Sequence, residues 1–255
     1  MEEALTVVFG LIVGSFLNVV IHRLPLRQDI VFLPSHCPRC HEPIPFYLNV
    51  PLLSYILLRG RCRSCRAPIS PRYPLVEGFT AFSFWLAYSA YGLTPHAVAA
   101  AVFLSLLIAL AAIDLQHMIL PDELTLGGAA FFLIYSFFNP EVARLDAVLS
   151  GVGGALFFAS LYYFYLKVRK LEGLGFGDVK MALFMGLFLG VRRLAIAVFL
   201  ASLTGLLVGL YFILFRKKDL KLALPFGPFL AVGSYLALFW GDAILAWIGS
   251  LWGLP

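Results

Sequence analysis

The sequence predicts an all-α membrane protein that crosses the bilayer many times, and two observations carry that prediction. Hydrophobic residues make up 61% of the 255 residues and charged residues only 13%, whereas soluble domains have about 45–50% apolar and about 25% charged residues. The apolar residues also fall into separate stretches of roughly 20 residues, the length that an α-helix needs to cross the hydrocarbon core. These features exclude a soluble globular domain and a disordered chain.

About eight transmembrane helices are predicted, with a small loop domain after the first. The predicted spans are residues 4–21, 75–93, 97–113, 124–138, 147–166, 179–191, 194–215 and 222–240. Pro225 and Pro228 interrupt the last span, and the apolar tail 241–255 is expected to lie at the membrane surface. The chain is therefore expected to divide into a first helix (1–22), a loop domain (23–73) and a membrane core (74–255).

The positive charges indicate how these spans are oriented. Sixteen of the 19 lysines and arginines lie in loops on one side of the predicted membrane, and only Arg144, Arg192 and Arg193 lie on the other. Cytoplasmic loops are enriched in lysine and arginine. The loop 23–73 is therefore predicted to be cytoplasmic and the N-terminus to be outside, with the adjacent pair Arg192 and Arg193 as the exception to the pattern.

All four cysteines lie in this loop, as the pairs Cys37 and Cys40, then Cys62 and Cys65. Two Cys-x2-Cys pairs supply the four thiolates of a tetrahedral zinc site. The alternative is two disulfides, which are rare in the reducing cytoplasm where the charge pattern places the loop. The sequence therefore predicts a structural Zn²⁺ site, because four cysteine ligands leave no open position for catalysis.

Two aspartates near the predicted cytoplasmic surface are candidates for catalysis. Asp114 ends the third span, where the helix dipole disfavours a negative charge, so another requirement must place it there. Asp178 begins the sixth span after a glycine-rich stretch and fits either a helix cap or a functional carboxylate. Two carboxylates that face each other share one proton, so that one activates water while the other polarises an amide carbonyl. An aspartyl hydrolase is one reading of the pair.

Residues beside Asp178 are candidates for supporting roles. Gly173, Gly175 and Gly177 allow unusual backbone conformations or the close approach of an extended chain. Lys180 either tunes the carboxylate pair or extends toward the lipid headgroups. In contrast, Asp122 and Glu123 begin the fourth span, where carboxylates complement a helix N-terminus.

The first helix and the start of the second contribute further candidates. Gly10, Gly14, Asn18 and His22 recur every four residues and therefore share one face of the helix. The glycines are expected to allow close helix packing, and Asn18 and His22 are candidates for a polar network near the site. Glu77 either complements the N-terminus of the second span or supports the site.

Motifs of a known family extend over nearly the whole chain. They are GSFLNVVIHRLP at 14–25, the two cysteine pairs, PRYPLVE at 71–77, Asp114 with LPD at 120–122, GFGDVK at 175–180 and LPFGPFLA at 224–231. In this order and number they resemble the bacterial type IV prepilin peptidases, which are membrane aspartyl proteases of the GxGD class. The match is specific because it combines several motifs.

The resemblance implies that Asp114 and Asp178 are the catalytic pair of an intramembrane endopeptidase. It implies cleavage, after a Gly, of the basic leader of type IV prepilins or type II secretion pseudopilins, and methylation of the new N-terminal residue by S-adenosylmethionine. The implied location is the bacterial inner membrane, with lipid and the pilus or secretion machinery as partners and no nucleic acid. No glycine-rich nucleotide motif occurs, so the methyl-donor site is not assigned.

Two other functions are compatible with parts of the sequence. A preflagellin- or presenilin-like peptidase cleaves without methylating, but it would not need the four-cysteine loop. A non-enzymatic scaffold would use the zinc loop to dock secretion ATPases, but it leaves Asp114 and Asp178 unexplained. Incubation with a prepilin peptide, with and without S-adenosylmethionine, distinguishes the three.

Overall fold

The computed structural model describes residues 1–30, 35–169, 175–216 and 224–251. Gly173 and four lysines of the charge count lie outside these ranges: Lys170, Lys217, Lys218 and Lys221. The helices are α1 (Glu2–Arg23), α2 (Leu53–Leu57), α3 (Arg72–Tyr91), α4 (Pro95–His117), α5 (Asp122–Tyr135), α6 (Arg144–Arg169), α7 (Phe176–Arg216) and α8 (Gly227–Leu251). The described ranges contain no strand, only two isolated β-bridges, so the all-α prediction is confirmed.

Within the described ranges, five helical segments are long and apolar enough to cross a membrane. They are Glu2–Leu26, Pro95–His117, Arg144–Val168, Phe176–Phe215 and Gly227–Leu251. The prediction of a membrane protein with several spans is confirmed. The number eight stays a prediction, since α5 has only 14 residues and α3 is not among the five.

Helix α7 reverses its direction at Gly190. This glycine has φ 73° and ψ 172°, which are not helical, and the positive φ favours glycine because it has no Cβ. A Cβ added to Gly154 of α6 would lie 3.4 Å from the carbonyl oxygen of Ala182 and 2.9 Å from the Leu194 side chain. Along an uninterrupted helix those two residues would be about 18 Å apart. The two parts of α7 therefore form a hairpin, in agreement with separate predicted helices at 179–191 and 194–215.

The predicted limits of the last helix are wrong. Helix α8 begins at Gly227 and continues to Leu251, so the segment 241–251 extends the helix and does not form a separate surface tail. Residues 222–223 and 252–255 lie outside the described ranges. Pro228 does not interrupt the helix, because it lies in the first turn, where a missing backbone N–H costs nothing.

The chain forms two compact units, residues 1–109 and 110–255. The predicted three-part division stays a prediction. In the first unit, α1 and α3 pack antiparallel through small residues: a Cβ added to Gly10 would lie 2.7 Å from the Ala81 Cα, and one added to Gly14 would lie 2.7 Å from the Glu77 Cα. Only glycine permits such close helix contact, so the predicted packing role of these two glycines agrees with the structure.

In the second unit, α7 packs against both α6 and α8 by the same kind of contact. A Cβ added to Gly186 would lie 2.6 Å from the Cα of Gly151 on α6. One added to Gly233 of α8 would lie within 3.0 Å of Ala197 and Ala201. Lipid tails are as apolar as the side chains, so close van der Waals contact between backbones stabilises helix pairs in a membrane.

Arg193, an exception in the charge pattern, is neutralised by two carboxylates. Its guanidinium donates to Glu141 Oε2 at 2.6 Å and to Asp242 Oδ2 at 2.5 Å. The first acceptor lies before α6 and the second belongs to α8, so the arginine joins three parts of the unit. Because Arg193 is paired, it adds little net positive charge to the side predicted to be outside.

Candidate active site

Asp114 is buried in the last turn of α4 and is bound from another helix. Its side chain is 6% exposed, and its Oδ2 accepts a hydrogen bond from the backbone N–H of Gly227 at 2.9 Å. Gly227 is the first residue of α8, so the positive end of that helix dipole lies beside the carboxylate. This contact offsets the unfavourable position of Asp114 at the end of its own helix.

Asp178 is buried in the first turn of α7, where it supports the helix cap. It is 4% exposed. Its Oδ2 accepts the backbone N–H of Gly175 at 3.1 Å, while its own N–H donates to the Gly175 carbonyl at 3.1 Å. This is the return half of a capping box. Asp178 is therefore not the N-cap itself but supports the cap from the third helical position, and this is compatible with a functional role, because a single carboxylate oxygen makes the contact.

The structure brings the two carboxylates into one site. They are close enough for the charge of Asp114 to act on Asp178. Leu120, between α4 and α5, lies beside the first turns of both α7 and α8. A Cβ added to Gly177 would be 2.8 Å from Leu120, and one added to Gly227 would be 3.2 Å from it. In each aspartate only Oδ2 accepts a hydrogen bond from the described residues. Each Oδ1 is left for water or substrate.

Gly227 is the site residue that the sequence motifs did not assign. A Cβ at this position would lie 2.7 Å from Asp114 Oδ2, so a side chain would displace the carboxylate. The signal available in the sequence was a glycine between two prolines, Pro225 and Pro228, at the start of an apolar helix. That pattern marks a helix N-terminus, although it does not reveal which acidic group faces it.

Lys180 contacts neither aspartate of the pair. Its Nζ lies 2.5 Å from Asp122 Oδ1, and 5.4 Å from the centre of the Phe176 ring. Neither predicted role describes this contact, which joins the start of α7 to the start of α5. Asp122 is in the first turn of α5, as predicted, and has this ion pair as a second role.

We expect the Lys180–Asp122 pair to contribute modestly to stability. The Asp122 side chain is 57% exposed, and such pairs contribute about 0–1 kcal/mol. Asp122→Asn, Lys180→Met and the double variant should show a coupling below about 1 kcal/mol in thermal unfolding, and all should retain most of any peptidase activity. A far larger loss of activity in Lys180→Met than in Asp122→Asn would mean that Lys180 acts on the catalytic pair directly.

The two glycines before Asp178 differ in their surroundings. Neither has a positive φ, so the expected unusual backbone is absent at both. A Cβ added to Gly177 would lie 2.8 Å from the Leu120 Cβ, whereas one added to Gly175 would lie 3.4 Å from Asp178 Oδ2. The close approach expected of this stretch is therefore found at Gly177, and it is made to the chain itself.

We expect Gly177→Ala to be much more harmful than Gly175→Ala. The first change pushes Leu120 away from the pair, and a displacement of about 1 Å costs roughly a hundredfold in catalysis. The second keeps the backbone N–H that Asp178 accepts and creates no severe overlap. Cleavage rates of the two variants, with their melting temperatures, test this expectation; equal losses would contradict it.

The four cysteines form the predicted metal-binding cluster. Their Sγ atoms all lie within 4.8 Å of one another; Cys37 and Cys65 are 3.9 Å apart and Cys40 and Cys62 are 4.0 Å apart. All four are free thiols. Four thiolates bound to Zn²⁺ at about 2.3 Å would be roughly 3.8 Å apart. The arrangement fits zinc and does not fit disulfides.

The cluster is built from an internal repeat that the sequence analysis missed. Residues 35–44 (SHCPRCHEPI) and 60–69 (GRCRSCRAPI) share the pattern Cys-x2-Cys-x2-Pro-Ile. Each contains one β-bridge, His36 with Pro43 or Arg61 with Pro68. Each also has a positive φ directly after its second cysteine, 58° at His41 and 59° at Arg66. Two equivalent turns therefore present two thiols each to a common centre.

The first cysteine turn favours a thiolate at Cys37. Hydrogen bonds from the backbone N–H groups of Cys40 and then Arg39 lower the pKa of the Cys37 thiol to about 6. Backbone N–H groups that point at a sulfur favour its charged form, which is the form that binds a metal.

The other predicted supporting residues lie in the first unit. Asn18 Nδ2 donates to the Tyr73 carbonyl at 3.0 Å, and His22 is exposed in the last turn of α1. Glu77 is 8% exposed and its Oε2 accepts the backbone N–H of Leu52 at 2.8 Å. The reading of Glu77 as a carboxylate at a helix start is wrong, because α3 begins earlier, at Arg72, and Glu77 lies in its second turn.

Comparison with known proteins matches both halves of the chain. Residues 8–91 match the Bacterial Peptidase A24 N-terminal domain and residues 101–210 match the Type IV leader peptidase family. A prepilin leader peptidase/N-methyltransferase of Aeromonas salmonicida is 39% identical over 96% of this chain and 92% of its own. Proteins of the same name from Pseudomonas putida (95% and 92%) and Legionella pneumophila (96% and 93%) are each 37% identical. No solved structure matches the chain.

Proposed function

Because the chain belongs to the type IV leader peptidase family, we propose that it is a membrane aspartyl endopeptidase whose catalytic pair is Asp114 and Asp178. The observation that carries this proposal is the meeting of two buried carboxylates from separate helices. Each accepts one hydrogen bond from a backbone N–H through Oδ2, and its Oδ1 accepts none from the described residues. Ionisable groups at membrane depth are costly, so a buried pair indicates function.

The pair supplies both halves of an amide hydrolysis. Two neighbouring carboxyl groups do not ionise together easily, so one holds a proton at neutral pH. The ionised member removes a proton from a water molecule, and the water oxygen attacks the amide carbonyl carbon. The protonated member donates a hydrogen bond to the carbonyl oxygen as negative charge develops there. The C–N bond of the tetrahedral intermediate then breaks, and the carboxyl group that took the water proton passes a proton to the leaving amine. The N–H groups of Gly175 and Gly227 orient the carboxylates throughout.

The proposed substrates are type IV prepilins or type II secretion pseudopilins, cleaved after the Gly that ends their basic leader. The relatives' names include N-methyltransferase activity, so we extend the proposal to methylation of the new N-terminal amine. S-adenosylmethionine supplies the methyl group in that reaction. Zinc in the four-cysteine cluster has a structural role, because all four of its positions are filled by thiolates.

We further propose that the chain lies in the bacterial inner membrane, in contact with the pilus or secretion machinery, with the cysteine loop in the cytoplasm. In sealed right-side-out vesicles, an impermeant thiol reagent added with a zinc chelator should label the native cysteines only after permeabilisation. A cysteine introduced at the exposed Pro140, between α5 and α6, should be labelled without permeabilisation. The reverse pattern would show that the orientation is inverted.

The activity is tested with the purified protein and a synthetic prepilin peptide, analysed by mass spectrometry. Cleavage after Gly is expected, and the new N-terminus should gain one methyl group only when S-adenosylmethionine is added. Cleavage without methylation would show peptidase activity only, as in the preflagellin- or presenilin-like alternative. If protein that remains folded carries out neither reaction, the non-enzymatic scaffold is favoured.

A further inference from the structure

The apolar segment 49–57 of the cysteine loop is placed beside the membrane-spanning part of α1. Asn49 and Pro51 line a shallow cavity together with Ile12, Phe16 and Val19 of that helix. Ile12 and Phe16 are 55% and 53% exposed and belong to the uncharged stretch 4–21, which must lie in lipid if α1 crosses the membrane. The loop therefore does not extend entirely into water.

The register of α1 and α3 gives the depth of this segment. Gly10 faces Ala81, Gly14 faces Glu77, and Asn18 contacts Tyr73. Glu77 is thus level with Gly14, which lies seven residues, about 10 Å, from the end of the uncharged stretch at Ile21. The Glu77 carboxylate binds the Leu52 N–H at 2.8 Å, which holds Leu52 near the same depth.

The backbone at Leu52 is irregular and its polar groups are satisfied by the protein. Leu52 has φ 58° and ψ −48°, and the next N–H, of Leu53, donates to the Pro51 carbonyl at 2.6 Å. Non-helical backbone is tolerated at membrane depth only where protein groups satisfy its N–H and C=O groups. Glu77 performs this role for Leu52, which explains a buried carboxylate on a helix packed against a membrane span.

The surface of the segment fits lipid. Leu53, Ile56 and Leu57 of α2 are 52%, 68% and 68% exposed. Four exposed arginines follow directly: Arg59, Arg61, Arg63 and Arg66. Between residues 30 and 76 the only acidic residue is Glu42. An apolar surface bordered by arginines is typical of an element that lies in the interface of an anionic membrane.

We propose that segment 49–57 is a re-entrant element that dips into the lipid on the cysteine-loop side of the membrane, tethered at its deepest point by Glu77. The second cysteine turn then lies at the headgroups, where its arginines contact anionic lipid. The occupant of the apolar α2 face is thus the acyl region of the bilayer. This assignment does not depend on the peptidase activity.

The test uses the full-length zinc-loaded protein in nanodiscs of phosphatidylcholine and phosphatidylglycerol. An environment-sensitive fluorescent amino acid replaces Ile56 or, as the matched control, the exposed Ser64 of the second cysteine turn. Lipid with brominated acyl chains should quench position 56 at least about threefold more strongly than position 64, and aqueous iodide should show the opposite order. Equal bromine quenching at the two positions, or stronger iodide quenching at 56, would overturn the proposal.

The tether is tested separately at Glu77. Glu77→Gln keeps an oxygen that accepts the Leu52 N–H and should preserve bromine quenching at position 56. Glu77→Leu removes the acceptor and should reduce that quenching at least about threefold, because the unsatisfied N–H moves toward water. Unchanged quenching in Glu77→Leu would show that the carboxylate does not set the depth. Circular dichroism confirms that the variants compared retain their helices.

Discussion

We expect Asp114→Asn and Asp178→Asn each to abolish leader cleavage while leaving the protein folded in the membrane. Each asparagine keeps an oxygen that accepts the glycine N–H, so the local structure should persist. Each removes one member of the proton-sharing pair, and acid–base groups contribute roughly 10²–10⁴-fold to a rate. The cleavage rate of a prepilin peptide should therefore fall at least about a hundredfold, with little change in melting temperature.

Asp146→Asn provides a matched control for these variants. Asp146 lies in the first turn of α6, and its Oδ1 is 3.4 Å from the Val191 N–H at the α7 reversal. It is an aspartate at a helix start with a backbone partner, as Asp178 is, but it belongs to the Gly190 turn and has no described carboxylate partner. Asp146→Asn should cleave normally. Substantial cleavage in either pair variant, with normal folding, would remove the catalytic assignment.

The helices could be predicted from the sequence because their signals are local. Apolar runs of sufficient length defined α1, α3, α4, α6 and α7 to within a few residues, and the break before Arg192 was visible as the end of one run. The four cysteines were equally local, since two closely spaced pairs can meet without knowledge of the rest of the fold. The limits of α8 were predicted wrongly at both ends. Its start was placed at 222, before two prolines that in fact mark the beginning of the helix, and its apolar continuation to Leu251 was assigned to a separate tail.

The contacts that build the site could not be predicted, because they join residues distant in sequence. The N–H that binds Asp114 comes from Gly227, 113 residues later, and nothing near Asp114 indicates it. Lys180 had two readings from its place near Asp178, tuning the pair or extending toward the lipid headgroups, yet its Nζ pairs with Asp122. The Glu77–Leu52 contact also depends on how the loop folds back on α3. In each case the residue is visible in the sequence, but the group that it contacts is determined by the tertiary structure.

Loss of zinc is expected to have the largest effect on the cysteine loop. Replacement of Cys37, Cys40, Cys62 or Cys65 by Ser should each remove most of the bound metal, since all four Sγ atoms meet within 4.8 Å. In the described part of the loop between α1 and α3, the helical elements are the five-residue α2 and two three-residue 3₁₀ helices. Structural zinc supplies about 10–16 kcal/mol in small modules, so residues 35–69 should lose their amide protection in hydrogen exchange.

The internal repeat sharpens this prediction. Because Cys37 corresponds to Cys62 and Cys40 to Cys65, variants at equivalent positions should lose similar amounts of metal. Ser64→Ala, which lies between two ligands but has an exposed side chain, should keep the metal and serves as the control. Wild-type protein that contains no metal by elemental analysis, or that has disulfides when freshly isolated under non-reducing conditions, would contradict the zinc site. Normal amide protection in a metal-free variant would instead show that the repeated turns fold without an ion, through their β-bridges and backbone hydrogen bonds alone.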